Sequence, residues 1–458
     1  MSERVPRPDA PALSLAQVVR RVLRGRAVLG QEHPVSPRKA QPYFRLEPVR
    51  CSGENYLQTE TTTVRAAVRV DFPCKGNTHH AVCHKKRRKS RMKIAIDASA
   101  AAAAEGTGVA TYISELVKAL AQIDTENEYV LCTRVSRLPR RGSFLKPPAP
   151  NFGEKILVEG LHLVFPRTLD LFHGTDARAA RLDVPQVITM HDLFQEEQEK
   201  YSKSRFRAKK QKYYEGSASR AKAIIAPSEY VAKAFTEHYP DAGYKIVVIP
   251  HGVSEEYKPQ HKEVIDFVRE KYKLPEKYIL FVGSLGVRKN VVRLIDAFTK
   301  IAGDFPDLAL LLVGKRSHGA EDVDLAARMS AYYDRILMPG YVPAPALPPL
   351  YGGATALVLP SLSEGFGIPI LEAFACRTAV VAANRTSIPE VAGEAAVLVD
   401  PEDTDSIAEG LRAMLTDETR REELIELGAE RVKEFSWFKS AIAHLELYRE
   451  IVMEAAVE

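Results

Sequence analysis

No stretch of the chain reaches the roughly 18 consecutive uncharged apolar residues that a membrane-spanning helix needs, so no transmembrane helix is expected. Cysteine is scarce too: five residues, an odd number scattered over 458, make no disulfide framework and point to a reducing compartment and a cytoplasmic location. Metal-ligand patterns are missing. Cys74, His79, His80, Cys83 and His84 are ligand types, but their spacing fits no zinc pattern, and neither a metal nor a cofactor is expected. The N-terminal part has too few aromatics for a nucleic-acid arm, so no nucleic-acid partner is expected either. What remains is the composition of a globular protein, long enough for two or three domains with proper cores.

The net charge of +5 hides a division. Residues 1–91 carry 19 Lys and Arg against 7 Asp and Glu, leaving 45 bases and 52 acids for residues 92–458. Those first residues show no sustained period, scatter proline and arginine, and end in Lys85-Lys86-Arg87-Arg88-Lys89, so 1–91 reads as a basic, disordered extension that carries none of the chemistry. Within it Leu13 to Leu29 is arginine-rich and could form an amphipathic helix, a transit peptide or a surface anchor.

From Met92 the pattern changes to short apolar strands alternating with helical stretches. The strands are Ile94 onward, Tyr129 to Cys132, Leu169 to His173, Val187 to Met190, Ala223 to Ala226 and Ile246 to Ile249; a helix covers Val109 to Leu120 behind a glycine turn at Gly106 and Gly108. After a polar, proline-bearing stretch that reads as a hinge up to Pro275, the pattern restarts: strand Tyr278 to Val282, turn Gly283 to Gly286, helix Val291 to Ile301, strand Leu308 to Val313 ending at Gly314, helix Ala320 to Met329, then strands Ala354 to Leu359 and Ala379 to Ala383. Such alternation implies parallel sheets covered on both faces. The domains follow: an N-terminal α/β domain over 92–257, a second over 258–434, and a final helix over 435–458, with the only tryptophan, Trp437, long enough to reach back over the first domain.

The chemistry concentrates in Ser361 to Cys376, a glycine loop and helix that follow the apolar run Ala354 to Pro360, read as a buried parallel strand. Gly365 and Gly367 allow a sharp turn, Pro369 suits a helix start, and the free N–H groups of the helix N-terminus make an anion site that a diphosphate could approach closely. Glu364 lies before the helix and Glu372 is expected in its first turn, one near each end of such a ligand. Arg288 and Lys289 stand at another helix start, where cations are disfavoured unless an anion compensates them. Histidines fall at the strand ends His173-Gly174-Thr175-Asp176 and His191-Asp192-Leu193, His191 being the stronger candidate. Asp322 and Asp324 lie within a helical pattern and read as an exposed face, whereas the seven bases of Lys200 to Lys212 read as a solvated face or as a surface that attracts an anionic acceptor or membrane headgroups.

Residues 92–458 resemble the retaining glycosyltransferases built from two facing Rossmann-like domains, the GT-B architecture, of group 1 and family 4 and of the kind that supplies mannose and glucose to bacterial envelope and exopolysaccharides. The resemblance rests on Glu364-Gly-Phe-Gly-Ile-Pro-Ile-Leu-Glu372, Ser387-Ile-Pro-Glu-Val-Ala-Gly393, Val399-Asp-Pro401 and Phe435-Ser-Trp437, in that order. It implies that Glu372 holds the ribose hydroxyls, that Glu364 contacts the donor sugar, and that Arg288 and Lys289 bind the diphosphate with help from the amides of Gly365 to Gly367. It also implies a donor site lined by Gly283, Gly314, Tyr341, Val342, Phe366 and Ile368, an acceptor side formed by His191, Gly106 and Gly108, and a catalytic group of Glu364, His191, Arg288 and Lys289. A nucleotide diphosphate sugar and a glycan or lipid-linked acceptor would be the partners, at the inner face of the membrane if the basic surface contacts it. An epimerase or phosphorylase on the same architecture, or a silent sugar-nucleotide binding protein, are the alternatives. Arg377 departs from the family by standing where a glycine is usual, as do Ala379 for proline and Ser284 for arginine.

Overall fold

The computed structural model describes residues 91–102, 106–158, 168–193 and 204–457. The extension, with its Leu13–Leu29 stretch and its cysteine and histidine cluster, lies outside the described residues, and so do residues 200–203 of the basic segment from Lys200 to Lys212.

The first sheet is built from β1 (Lys93–Asp97), β2 (Glu128–Arg134), β3 (Phe152–Leu157), β4 (Leu171–Gly174), β5 (Gln186–Thr189), β6 (Ala223–Ala226) and β7 (Ile246–Val248), with helices α1 (Gly108–Ile123), α2 (Ser204–Arg220) and α3 (Glu229–His238) between them. Its order is β3-β2-β1-β4-β5-β6-β7, and every pairing is parallel. The chain then forms α4 (Lys262–Lys271), β8 (Lys277–Val282), α5 (Val291–Ile301), β9 (Leu308–Val313), α6 (Ala320–Met329), β10 (Ile336–Gly340), α7 (Leu347–Gly352), β11 (Ala356–Leu359), α8 (Ile368–Ala375), β12 (Ala379–Ala383), α9 (Ile388–Ala392), β13 (Val397–Val399), α10 (Thr404–Thr416), α11 (Glu418–Arg431) and α12 (Trp437–Ala455). The second sheet runs β10-β9-β8-β11-β12-β13, again all parallel. Parallel sheets are covered by helices on both faces, which is why central strands such as Leu-Ala-Leu-Leu-Leu-Val of β9 are buried at every position.

Three strands escape the sequence reading, and all three are edges. β3 exposes Gly153, Glu154 and Lys155 in a row between buried Phe152 and Leu157, β10 contains Pro339, and β13 is only three residues long. An edge strand is half solvated and tolerates proline, so it lacks the continuous apolar run that marks the centre of a sheet. The stretch read as a hinge up to Pro275 contains α4, an amphipathic helix that buries Val264 and Val268 and is otherwise mostly charged. Asp324 is half-buried rather than exposed and pairs with Arg316, while Asp322 is exposed as expected.

The last helix does cross back. α12 leaves the second domain at Ser436, which pairs as a bridge with Val253, and packs Trp437, Leu445, Tyr448 and Ile451 against α1 and the first sheet. A buried hydrogen-bond chain fixes it there. His444 Nδ1 faces the Ser440 carbonyl at 2.7 Å and must carry the proton, so Nε2 accepts from the Tyr112 hydroxyl at 2.9 Å. Tyr112 in turn accepts from Thr189 Oγ1 (2.9 Å), Thr189 from His173 Nε2 (2.8 Å), and His173 Nδ1 from the Tyr448 hydroxyl (2.7 Å). The chain has one consistent direction only if both histidines are neutral. Burial ensures this, pushing His173 well below its ordinary value and His444 down to about 4.

Arg377 adopts the left-handed conformation that glycine favours, with φ of 59°. It closes α8 by donating its amide to the Phe374 carbonyl (3.1 Å), and its guanidinium forks onto Glu426 of α11, so an exposed ion pair stands where the family has backbone freedom.

Thr189→Val keeps the side-chain shape but strips the centre of the hydrogen-bond chain, leaving His173 and Tyr112 each short of a partner. It is expected to cost about 1 to 3 kcal/mol, seen as a lowered thermal midpoint, whereas an unchanged midpoint would show the chain to be dispensable.

Candidate active site

In the second sheet β8 and β11 are neighbours although their connections lead to opposite sides, the kind of switch point where open parallel sheets bind ligands at the carboxyl ends of the strands. Two loops emerge there, Gly283 to Asn290 after β8 and Ser361 to Gly367 after β11, stitched by the Leu362 amide donating to the Arg288 carbonyl at 2.9 Å. Asn290, itself left-handed at φ 58°, ties the first loop down by donating to the Pro360 and Pro401 carbonyls at 3.0 and 2.6 Å.

Between these loops Lys289 and Glu364 meet as a buried ion pair, exposed by only 8% and 6%. Ser361 Oγ donates to the same carboxylate oxygen at 2.7 Å, and Arg288 approaches the other at 3.6 Å. Burial alone would drive the Glu364 carboxyl up, but Lys289 and Arg288 outweigh it and hold it below the ordinary glutamate value. Arg288 also lies 3.6 Å from Asp192 of the first domain, so one guanidinium spans both halves of the molecule.

The glycine loop has its carbonyls anchored and its amides free. Ser387 Oγ donates to the Glu364 and Phe366 carbonyls at 2.9 and 3.1 Å, and Ser228 of the first domain donates to the Gly365 carbonyl at 2.8 Å. Among the described residues the amides of Gly365, Phe366 and Gly367 donate to nothing. Gly365 is required for a further reason: a Cβ there would lie 1.7 Å from the His191 carbonyl oxygen, so the two domains touch backbone to backbone. Gly367 is left-handed, with φ of 107°, and starts α8.

On the acceptor side, His191 Nε2 must donate to the Thr175 carbonyl at 2.8 Å, which leaves Nδ1 as an acceptor. Burial pushes the ring's pKa down, only partly offset by the Thr175 carbonyl and by Asp176 and Asp192. The ring lies edge-on to Tyr112 at 4.9 Å and near His251, which touches Phe366 of the donor loop at 5.0 Å and stacks on Trp437 at 5.5 Å.

The structure thus brings together Arg288, Lys289, Glu364, Gly365 and His191. Other expected residues lie differently. Glu372 is not in the first turn of α8 but is its fifth residue, buried, with the Tyr351 hydroxyl donating to it at 2.6 Å. It shares no partner with Glu364, because a turn and more of helix separates it from the loop. Burial pushes its carboxyl up, and the Tyr351 and Tyr257 hydroxyls oppose this only in part. Val342 is buried in the core and Phe366 turns inward onto His251 and Phe435, so these two can offer a ligand only their backbone. Tyr341 is exposed beneath the Lys315 ammonium, Ile368 is half-buried, and Gly314, left-handed at φ 147°, is pressed against the Gly283 carbonyl. Gly106 and Gly108 are exposed and face open space; Gly108 is the first residue of α1. Sequence reasoning passed over Asp192, Ser228 and Ser387, whose roles arise from contacts between distant segments, and Ser361, whose partner Glu364 is three residues along the chain.

Residues 106–257 match the family described as Glycosyltransferase Family 4, and residues 264–431 match Glycosyl transferases group 1. The chain belongs to the group 1 glycosyltransferases and is a glycosyltransferase of GT-B fold. It is 29% identical over 369 residues to the O-antigen chain mannosyltransferase B of Escherichia coli, an alignment covering 75% of this chain and 96% of that protein. It is 28% identical over 242 residues to the serotype-specific mannosyltransferase WbdA of the same species, covering 52% of this chain and 30% of the longer WbdA. The fold is shared with the sucrose-phosphate synthase of Thermosynechococcus elongatus, at a TM-score of 0.64 and 23% identity, covering 79% of this chain and 99% of that one. Among the described residues of this glycosyltransferase no helix is long and apolar enough to cross a membrane.

The two glutamates titrate with opposite signs. Folding lowers the pKa of Glu364, so its contribution to stability is present above the unfolded value of about 4.3 and is lost as pH falls through the folded value. Folding raises that of Glu372, so its contribution is present below about 4.3 and is lost as pH rises through the folded value. Thermal midpoints of the wild type, Glu364→Gln and Glu372→Gln followed across the acidic range should therefore diverge from one another in opposite directions. Parallel curves would mean that neither carboxyl is perturbed.

Proposed function

We propose that this glycosyltransferase moves a hexosyl group, mannose in the first instance, from a nucleoside diphosphate sugar to an acceptor hydroxyl in the assembly of a glycan, and that the transfer retains the anomeric configuration. The observation that carries the reading is the loop of free amides at Gly365 to Gly367 flanked by Arg288 and Lys289, a constellation that suits a diphosphate. The names of the O-antigen and serotype-specific mannosyltransferases support mannose and a surface polysaccharide.

The bond that breaks joins the anomeric carbon to a phosphate oxygen; the one that forms joins that carbon to the acceptor oxygen. Negative charge develops on the leaving diphosphate, where the free amides and the two cations are already gathered. Lys289 would exchange part of its interaction with Glu364 for the phosphate, releasing a carboxylate oxygen to accept a hydroxyl of the donor sugar. The acceptor approaches on the face from which the diphosphate departs, and the departing phosphate oxygen takes its proton, so no separate base is invoked. His191, with its only proton held by Thr175, acts in this scheme as a hydrogen-bond acceptor that orients a sugar hydroxyl. Glu372 is assigned the ribose hydroxyls, for which its carboxylate must be freed from Tyr351 or share it. The contact between the Gly365 and His191 backbones closes the cleft and keeps water from the donor.

Offering a panel of nucleoside diphosphate sugars with mannose-terminated oligosaccharides, neutral and anionic, and reading the product linkage by proton coupling, tests this. An α-linked product from an α-linked donor is expected; a β-linked product, or epimerised donor without transfer, would contradict it.

A further inference from the structure

The first sheet has a switch point of its own, between β1 and β4, and a cavity of about 130 Å³ opens there at the carboxyl ends of β1, β2 and β4. That is the space of roughly four waters, enough for one oxyanion group but not for a sugar ring. Three arginines, Arg134, Arg137 and Arg178, and two carboxylates, Asp97 and Asp176, line it together with Ser99 and Thr175.

The charges of this lining do not cancel. Asp97 is buried and already committed: Arg134 Nε reaches its carboxylate at 2.8 Å and the Ser99 amide donates to it at 3.0 Å. Ser99 Oγ in turn receives the Arg134 amide at 2.9 Å, and the Thr175 hydroxyl donates to the Asp97 carbonyl, so the floor is a closed, rigid network. Arg178 stands 3.9 Å from Asp176 with both side chains about half exposed, a pairing that solvent screens. Arg137 is half-buried and, among the described residues, makes no hydrogen bond or ion pair. The site therefore offers a fixed floor with uncompensated positive charge at its rim.

Thr175 joins this cavity to the reaction site, since its hydroxyl is part of the floor and its carbonyl takes the only proton of His191. An anion bound here lies one residue from the acceptor histidine. Resting on the reading of His191 as the acceptor side, we infer that the cavity is an oxyanion subsite for the acceptor: the acceptor substrate carries a phosphate or a carboxylate, held by Arg137 and Arg178, that positions its hydroxyl.

The experiment is calorimetric titration of the full chain with inorganic phosphate and, separately, with glucuronate, each with the donor site saturated by the nucleoside diphosphate that binds best. Binding of one of the two is expected to persist beside the nucleotide and to weaken about tenfold in Arg137→Gln and again in Arg178→Gln, with nucleotide affinity unchanged. Stronger phosphate binding identifies a phosphorylated acceptor, stronger glucuronate binding an acidic sugar. Oxyanion affinities that neither substitution alters, or binding that disappears once the nucleotide is present, would overturn the inference. A chain that binds no nucleoside diphosphate would instead overturn the donor-site reading, and titration of the oxyanions without nucleotide would then still decide the role of Arg137 and Arg178.

Discussion

Lys289 and Glu364 meet at the bottom of the cleft, and the arrangement of everything above them depends on that contact. Two charges withdrawn so far from water are tolerated only because each satisfies the other, with Ser361 and Arg288 taking up the remaining oxygen valences. Removing one partner would leave an uncompensated buried charge, a loss of about 3 to 5 kcal/mol. The pair fixes two loops from adjacent strands at one distance, and in doing so leaves the amides of Gly365 to Gly367 without partners of their own. A site held by an ion pair is also a site that a stronger anion can open, because the ammonium that binds the carboxylate is equally suited to a phosphate.

The same loop is where the two domains are joined. Ser228 holds the Gly365 carbonyl, Arg288 reaches Asp192, and the Glu390 carboxylate accepts from the Glu229 and Tyr230 amides at 2.9 and 3.3 Å, at the N-terminus of α3, where a negative charge also opposes the helix dipole. Behind these contacts, His251 touches His191, Phe366, Tyr112 and Trp437, so the hinge, the donor loop and the returning helix converge on one buried ring. The directed hydrogen-bond chain from Tyr448 to Ser440 anchors that helix to the first sheet.

Much of this was legible in the sequence, and for a physical reason. Central parallel strands are short, wholly apolar runs ending in glycine or polar residues, so β9 and β12 were visible to the residue; so were α5 and α6, whose apolar faces repeat at helical spacing. The glycine loop and its flanking glutamate are local chemistry, and they stand where expected. What could not be read depends on contacts across the fold: edge strands with one solvated side, the depth of Glu372 in its helix, the partnership of Arg288 with Asp192, and the serines that hold the loop carbonyls. Arg377 was legible as an anomaly but not in its resolution, since Glu426, which takes its guanidinium, is far along the chain and belongs to no motif.

On the proposed reading Lys289 turns from Glu364 to the second phosphate of the donor, and that exchange is the step on which the rest depends. It is tested most directly by comparing calorimetric affinities for a nucleoside diphosphate and the corresponding monophosphate in the wild type and in a Lys289→Met, Glu364→Gln double variant, which avoids leaving one buried charge alone. The wild type should favour the diphosphate by at least about tenfold and the double variant should lose most of that preference. An undiminished preference in the double variant would contradict the account.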